Sequence, residues 1–340
     1  MRERERPVGS DGPGPDDGGA ELAYAGRNTF LKAEASDIED LDGVDVGVLG
    51  VPYDGALSNR PGARYGPKAL REASAWWAYL SDYKGGLTNV NTRTQVDFSA
   101  FRIADCGDVP VFPMDRERTA DRIESHVAAV AARSFPVVLG GDHYCTYPAY
   151  RGVARGLDAD DVGLVQIDAH SDTVTESPVF GEHYHGSSTR LIAESPWGEY
   201  GTISQVGVRG YEGPDFFEFA DEVGLSVFTG REIHDRGIVD VTVDAIEAAA
   251  AGTDAVYLTF DIDAVDPSVA PGTGTPEPDG LSAHEALTVM EIAGKHPDVA
   301  AVDLMEVSPK YDPTESTQIL GASALVTLIE RKFAEDSTSE

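Results

Sequence analysis

Eight short apolar runs, rich in β-branched residues and separated by amphipathic stretches, constrain this chain most. They cover residues 44–51, 102–105, 136–139, 162–167, 203–208, 226–228, 255–260 and 300–304. Several are nearly continuous in Val, Ile and Leu, as expected of strands covered on both faces. The stretches between them have helical spacing. Residues 118–133 place Ile123, Val127 and Val130 on one face, and 241–251 and 283–293 read the same way. Gly66-Pro67 opens a further helix, because proline is tolerated in the first turn, where its missing N–H leaves nothing unpaired. Strands alternating with helices predict a three-layer α/β/α domain around a mostly parallel sheet.

In such sheets, chemistry gathers beyond the carboxyl ends of the strands. The polar motifs of this chain follow its apolar runs directly. Gly140-Gly141-Asp142-His143 ends one run, with glycines that permit a tight turn. Asp168-Ala169-His170-Ser171-Asp172 ends another. Read as extended chain, its alternate residues Asp168, His170 and Asp172 share a face and converge. Asp261-Ile262-Asp263-Ala264-Val265-Asp266-Pro267 ends a third. There Asp261 and Asp263 share a face, and Asp266, before proline, turns the chain away.

Carboxylates crowded together repel and raise one another's pKa unless a cation offsets them. Alone, an Asp-x-Asp reads as a solvated turn, and a lone His143 as a hydrogen-bonded structural histidine. Three such clusters closing three separate buried strands read instead as a metal centre. Oxygen donors with imidazole favour Mn2+ over thiolate-seeking metals, and closed structural sites are usually sulfur-rich. The candidate ligands His143, Asp168, His170, Asp172, Asp261 and Asp263 outnumber what one ion needs. They suit two ions bridged by carboxylates, an arrangement that acidifies a shared water.

The chain has 340 residues, a length compatible with one α/β domain. Residues 1–25, rich in Gly, Pro, Asp and Glu, read as a disordered acidic tail. Residues 26–333 read as a single catalytic domain and 334–340 as a frayed terminus. No stretch approaches the roughly 20 apolar residues of a membrane span. No apolar run follows the charged start, so no secretory signal is expected and the location expected is cytoplasmic. Fifty-nine acidic residues against 26 basic ones give a net charge of −33, which repels nucleic acid and anionic membranes. Such self-repulsion is tolerable where salt screens it, over a Debye length of about 3 Å at molar concentration. Halophilic adaptation is therefore favoured over substrate steering. Cys106 and Cys145 make no disulfide framework and read as small buried hydrophobes.

The three motifs, the last extended to Phe260–Pro267, stand in the order found in the ureohydrolase (arginase/agmatinase) family, which this chain resembles over roughly residues 45–330. Asn59-Arg60-Pro61-Gly62-Ala63-Arg64-Tyr65-Gly66-Pro67 is similar to the agmatinase-type segment after the first strand, and Asp303-Leu304-Met305-Glu306-Val307-Ser308-Pro309 extends the likeness. The resemblance implies an eight-stranded parallel sheet, two Mn2+ per subunit with Ni2+ or another divalent metal as the alternative, and a homotrimer or homohexamer. Carried over by motif, one ion is held by His143 and Asp172 and the other by His170 and Asp263, with Asp168 and Asp261 bridging. Asp172 also orients the reactive hydroxide and relays its proton. Glu306 matches the glutamate that pairs with the guanidinium, a fork suited to a carboxylate. His185 matches the proton-shuttling histidine, with His183 as its neighbouring alternative. The implied reaction hydrolyses a guanidino compound to urea and an amine.

The chain also departs from the family. Tyr144-Cys145 stand where the family commonly has Ser. Arginases read the amino-acid end of arginine with Asn and Ser residues after the second motif. Here Val174 takes the first Asn position, and a buried substrate carboxylate without a partner is costly. The Arg usual in formiminoglutamase is absent from the same loop. Agmatine, which lacks that carboxylate, is the first choice. It would give putrescine and urea in polyamine biosynthesis, with its distal ammonium meeting Glu176 or Glu182. Guanidinobutyrate, guanidinopropionate and free guanidine are the alternatives, with Arg60 and Arg64 as candidate clamps for an acidic tail. Trp76-Trp77 and the insertion at 85–99 either narrow the site or serve packing, and packing is favoured. A non-catalytic, metal-bound polyamine-binding protein is the reading of another class. The complete ligand set argues against it.

Overall fold

The computed structural model describes residues 22–334. The acidic tail read at 1–25, apart from its last four residues, and the terminus from 335 therefore lie outside the described residues. The strands are β1 (Glu34–Ala35), β2 (Val46–Gly50), β3 (Leu87–Asn89), β4 (Thr94–Val96), β5 (Ile103–Asp108), β6 (Phe135–Leu139), β7 (Val162–Ile167), β8 (Ile203–Val208), β9 (Ser226–Thr229), β10 (Ala255–Asp261) and β11 (Val299–Met305). The helices are α1 (Gly66–Lys84), α2 (Arg116–Ala131), α3 (Thr146–Leu157), α4 (Ser188–Ala193), α5 (Phe216–Val223), α6 (Gly230–Arg236), α7 (Ile238–Ala250), α8 (Ala283–Lys295) and α9 (Ser316–Phe333).

Nine strands form one sheet in the order β1-β5-β2-β6-β11-β10-β7-β8-β9. Every pairing in it is parallel. The eight apolar runs are all strands of this sheet. The ninth is β1, two exposed residues that pair with the edge of β5 and carry no apolar signal. Strands β2, β6, β7, β8 and β10 are wholly buried. Alternate side chains enter separate cores. Val137, Leu139, Val165, Ile167, Leu258 and Phe260 face one core, which α1, α7, α8 and α9 help to build. Val138, Leu164 and Tyr257 face the other, with α2 and α3.

The helix ends follow local chemistry. Pro67 sits in the first turn of α1, and Gly85 closes that helix in the left-handed region at φ 70°. The Asp115 side chain caps α2, and Ser282 and Glu285 cap α8 reciprocally. Helices α2 and α3 meet closely because a Cβ on Gly152 would stand 2.7 Å from the Glu124 carbonyl.

Within the insertion, β3 and β4 form an antiparallel hairpin. Asn89 Nδ2 donates to both carboxylate oxygens of Glu330 on α9 at 3.0 Å, and Thr94 Oγ1 donates at 3.3 Å. Below the hairpin, Phe98, Phe101, Phe333 and Phe135 form a chain of rings with centroids 5.7–6.2 Å apart. Phe135 is the first residue of β6, so the hairpin sits at the edge where the strands begin, opposite the motifs. Within its own chain the insertion packs on α9 and the start of β6, away from the motifs. Trp77 packs on the core, while Trp76 is 53% exposed.

Candidate metal centre

The three motifs meet where β6, β7 and β10 end. The Gly140-Gly141 turn is tight: a Cβ on Gly141 would lie 1.7 Å from the Tyr53 carbonyl oxygen. It delivers His143 into a short 3-10 turn leading to α3. The buried His143 Nδ1 lies 2.9 Å from Asp168 Oδ2, 3.1 Å from Asp172 Oδ2 and 3.2 Å from Asp261 Oδ2, yet has no hydrogen-bond partner. Across the cluster, His170 Nδ1 lies 3.2 Å from Asp263 Oδ2 and 3.5 Å from Asp168 Oδ1. Two groups of ligand atoms result, each lying within 4.8 Å of one another: His143, Asp168, Asp261 and Asp168, His170, Asp263. Asp168 is common to both, and Asp172 joins through His143. A partnerless buried imidazole nitrogen ringed by carboxylate oxygens is a donor set that fits a hard divalent cation.

The side chains converge by a different local route from the extended strand expected. The chain leaves the pleat after β7. Asp168 Oδ1 accepts the His170 N–H at 2.7 Å, and Asp172 is left-handed at φ 51°. Asp263 lies in a 3-10 turn, where Asp261 Oδ1 accepts its N–H at 2.8 Å. The carboxylates bend the backbone around themselves, and the bend brings them together.

Burial and mutual repulsion push Asp261 well above the carboxylate range. Asp168 is held well below it: burial acts upward, but His143 and His170 outweigh that. Both imidazoles are pushed up, burial being overcome by the carboxylates around them. The cluster thus draws positive charge to itself, and divalent cations satisfy the same demand.

Several supporting residues carried no sequence signal. Gln166 Nε2 donates to Asp168 Oδ2 at 2.7 Å, while its Oε1 accepts from Thr189 and Gln205, which fixes the amide's orientation. Ser188 donates to Asp172 at 3.1 Å and Thr275 to Asp263 at 2.9 Å. Asp142, pushed up to about 7 by burial, accepts the Ala56 N–H and the Cys145 thiol. Burial and Asp142 push that thiol up, so Cys145 is a buried neutral thiol and not an activated nucleophile.

Glu306 is fully buried and left-handed at φ 63°. Its Oε1 accepts the His143 N–H at 3.0 Å, and its Oε2 has no partner. His185 Nδ1 lies 3.7 Å from Glu306 Oε1, and His185 Nε2 pairs with Ser58 Oγ at 2.6 Å. Burial pulls the His185 pKa down. His183 instead stands edge-on against Tyr144, with centroids 6.2 Å apart.

Glu176 and Glu182 are exposed on the loop after the second motif, and Glu212 Oε1 accepts the Ser171 N–H at 3.0 Å. Arg64 is paired with the buried Asp54. Arg60 donates to the Gly274 carbonyl at 3.2 Å and lies 4.8 Å over the Tyr311 ring. Among the described residues, no helix is long and apolar enough to cross a membrane.

The sequence profile of the arginase family matches residues 44–330. The chain is similar to a guanidinopropionase of Pseudomonas aeruginosa, 34% identical over 327 residues that cover 95% of this chain and 96% of that protein. It is also similar to an agmatinase of Chromobacterium violaceum, 34% identical over 302 residues, or 89% of this chain and 87% of that one. The solved structure of proclavaminate amidino hydrolase from Streptomyces clavuligerus matches with a TM-score of 0.79 at 32% identity, covering 92% of this chain and 100% of that one.

Proposed function

This chain belongs to the arginase family and is a ureohydrolase of linear guanidino compounds, and on that premise we propose that its substrate is agmatine, cleaved to putrescine and urea. One observation carries the guanidinium-hydrolysing part of the reading: a His143 Nδ1 and a Glu306 Oε2 without hydrogen-bond partners among the described residues lie in the same buried site, while the choice of agmatine rests on the carboxylates of the loop after Asp172. His143 and Asp172 would hold one cation, His170 and Asp263 the other, with Asp168 and Asp261 between them. Mn2+ suits these oxygen and imidazole donors, with Ni2+ as the alternative. When bound, the cation pair supplies a water acidified enough to act as the nucleophile near neutral pH.

The rest of the work falls to the chain's own side chains. Glu306 offers its free Oε2 to the planar guanidinium and fixes the face presented for attack. Asp172, anchored by Ser188, holds the nucleophile's proton. His185, kept neutral by burial and aimed by Ser58, can accept the proton that Asp172 takes from the nucleophile and hand it on to the leaving amine, returning to the neutral ring. Glu176 and Glu182, exposed on the loop that follows Asp172, and Glu212, which accepts the Ser171 N–H, suit a cationic tail. Of the two arginines weighed as clamps, Arg64 is neutralised by Asp54. The assembly would be a homotrimer or homohexamer, and the net charge of −33 suits a salty cytoplasm.

Urea release in high salt from agmatine, guanidinobutyrate, guanidinopropionate, arginine and guanidine tests the proposal. Agmatine should give the highest kcat/KM. A guanidino acid in first place would move the tail-recognition argument to Arg60. No urea from any of them, with two ions bound per chain, would favour the polyamine-binding reading.

A further inference from the structure

A row of buried polar side chains runs across the sheet directly beneath the metal-ligand cluster. In the strand register, Asp303 on β11 pairs with Thr259 on β10, Thr259 with Gln166 on β7, and Gln166 with Gln205 on β8. All are essentially inaccessible to solvent. Asp168 and Asp261 follow Gln166 and Thr259 by two residues. Half of this row, Gln166 with Gln205, orients Asp168. The other half ends in a carboxylate that touches no candidate ligand.

We propose that Asp303 is a positioning residue for His143, acting through the hydroxyls of Thr146 and Thr259 to keep the His143 Nδ1 lone pair facing the cations. The inference rests on the reading of this cluster as a metal centre. His143 can bind a cation through Nδ1 only if its proton sits on Nε2. That nitrogen lies 2.9 Å from Thr259 Oγ1, which must then accept. The Thr259 hydroxyl has its own proton to place, with Thr146 Oγ1 3.2 Å away and the Asp303 carboxylate beside it. Thr146 in turn donates to Asp303 Oδ2 at 2.8 Å, and Tyr257 donates its hydroxyl to the same oxygen at 2.8 Å.

Two hydroxyls converging on one carboxylate oxygen fix the direction of donation: imidazole to Thr259, to Thr146, to Asp303. A donor in place of the carboxylate would let the chain run backward. Thr259 would then donate to Nε2, and the ring proton would move to Nδ1, where it blocks the cation. Partners behind a metal-bound histidine typically change metal affinity by about 10- to 100-fold.

The test measures Mn2+ retained per chain, by elemental analysis, after dialysis against graded chelator concentrations. Wild type, Thr259→Val, Thr259→Ser and Asp303→Leu are compared. Thr259→Val keeps the side chain's shape and breaks the relay. It should lose one of its two ions at a chelator strength about 10- to 100-fold lower than wild type does. Thr259→Ser, which restores the hydroxyl, should return to wild-type retention, and Asp303→Leu, which removes the acceptor of both hydroxyls, should resemble Thr259→Val. Wild-type retention in Thr259→Val would overturn the proposal. So would equal defects in Thr259→Val and Thr259→Ser, or wild-type retention in Asp303→Leu. A wild-type protein that binds no ion would instead overturn the metal-centre reading beneath it.

Discussion

Strands β6, β7 and β10 end in Gly140-Gly141-Asp142-His143, Asp168 and Asp261, and begin at Phe135, Val162 and Ala255. At the carboxyl edge, buried carboxylates face imidazoles, and the backbone is left-handed at Asp172 and Glu306. Each such residue costs on the order of 1–3 kcal/mol. At the opposite edge, phenylalanine rings and a hairpin close the core, and its polar contacts include those Glu330 makes with Asn89 and Thr94. The same strands thus serve one end that gathers charge and strain and another that supplies packing to offset them. Helix α9 links the two: Asp312 precedes its first turn, and Glu330 lies near its last.

The contrast can be broken most forcefully at the carboxyl edge. Asp263→Ala should lose one of two bound ions and nearly all urea release. Metal-free, its melting temperature should differ little from that of metal-free wild type, because relief of carboxylate repulsion is set against the lost contacts with His170 and Thr275. A large fall in metal-free stability would show that this edge supports the fold as well. At the other edge, Phe101→Ala removes a nearly buried ring and should cost about 3–5 kcal/mol in denaturant unfolding. The kcat/KM per folded molecule should stay unchanged. A selective loss of activity would tie the hairpin end to the site.

Asp312, just before α9, and Glu330, in its last turns, should respond to pH with opposite sign. Burial opposes ionisation of Asp312, but hydrogen bonds from Thr314 and Thr317 outweigh it and hold the carboxyl below its usual range. Its contribution is therefore complete above the unfolded pKa, about 3.9, and is lost as pH falls through the lower folded value. Asp312→Ala should be less stable than wild type at neutral pH, with the gap closing in acid. Glu330 is raised, chiefly by burial, with Asn89 and Thr94 opposing. Its contribution is present below the unfolded pKa and lost as pH rises through the folded one. Glu330→Gln should match wild type in acid and equal or slightly exceed it at neutral pH, the smallest of these effects. Melting curves at pH 2 and 7 separate the two signs, the Asp312 gap closing only below the unfolded pKa of about 3.9. A gap of the same sign for both would remove the distinction between the ends.

Most of the eight main strands were legible because parallel strands buried on both faces must be apolar throughout, while β5 and β9, near the sheet's edges, are only partly buried and were read from their β-branched and aromatic residues. The six ligand candidates were legible because they cluster within motifs that end those strands. β1 has two exposed residues and no pattern to read. The left-handed turns at Asp172 and Glu306 were invisible, since Asp is enriched at positive φ but adopts it in only a small minority of cases and Glu carries no such preference. Ser58 and His185 are paired across 127 positions, and Thr146 and Asp303 across 157. Such pairings depend on strand order, which a single sequence does not print.

Titrating Mn2+ into fully chelated protein while following bound metal and urea release tests the central claim most directly. The account predicts that two ions bind per chain and that turnover reaches its plateau only as the second is taken up. Full turnover at one ion per chain, or urea release from metal-free protein, would contradict it.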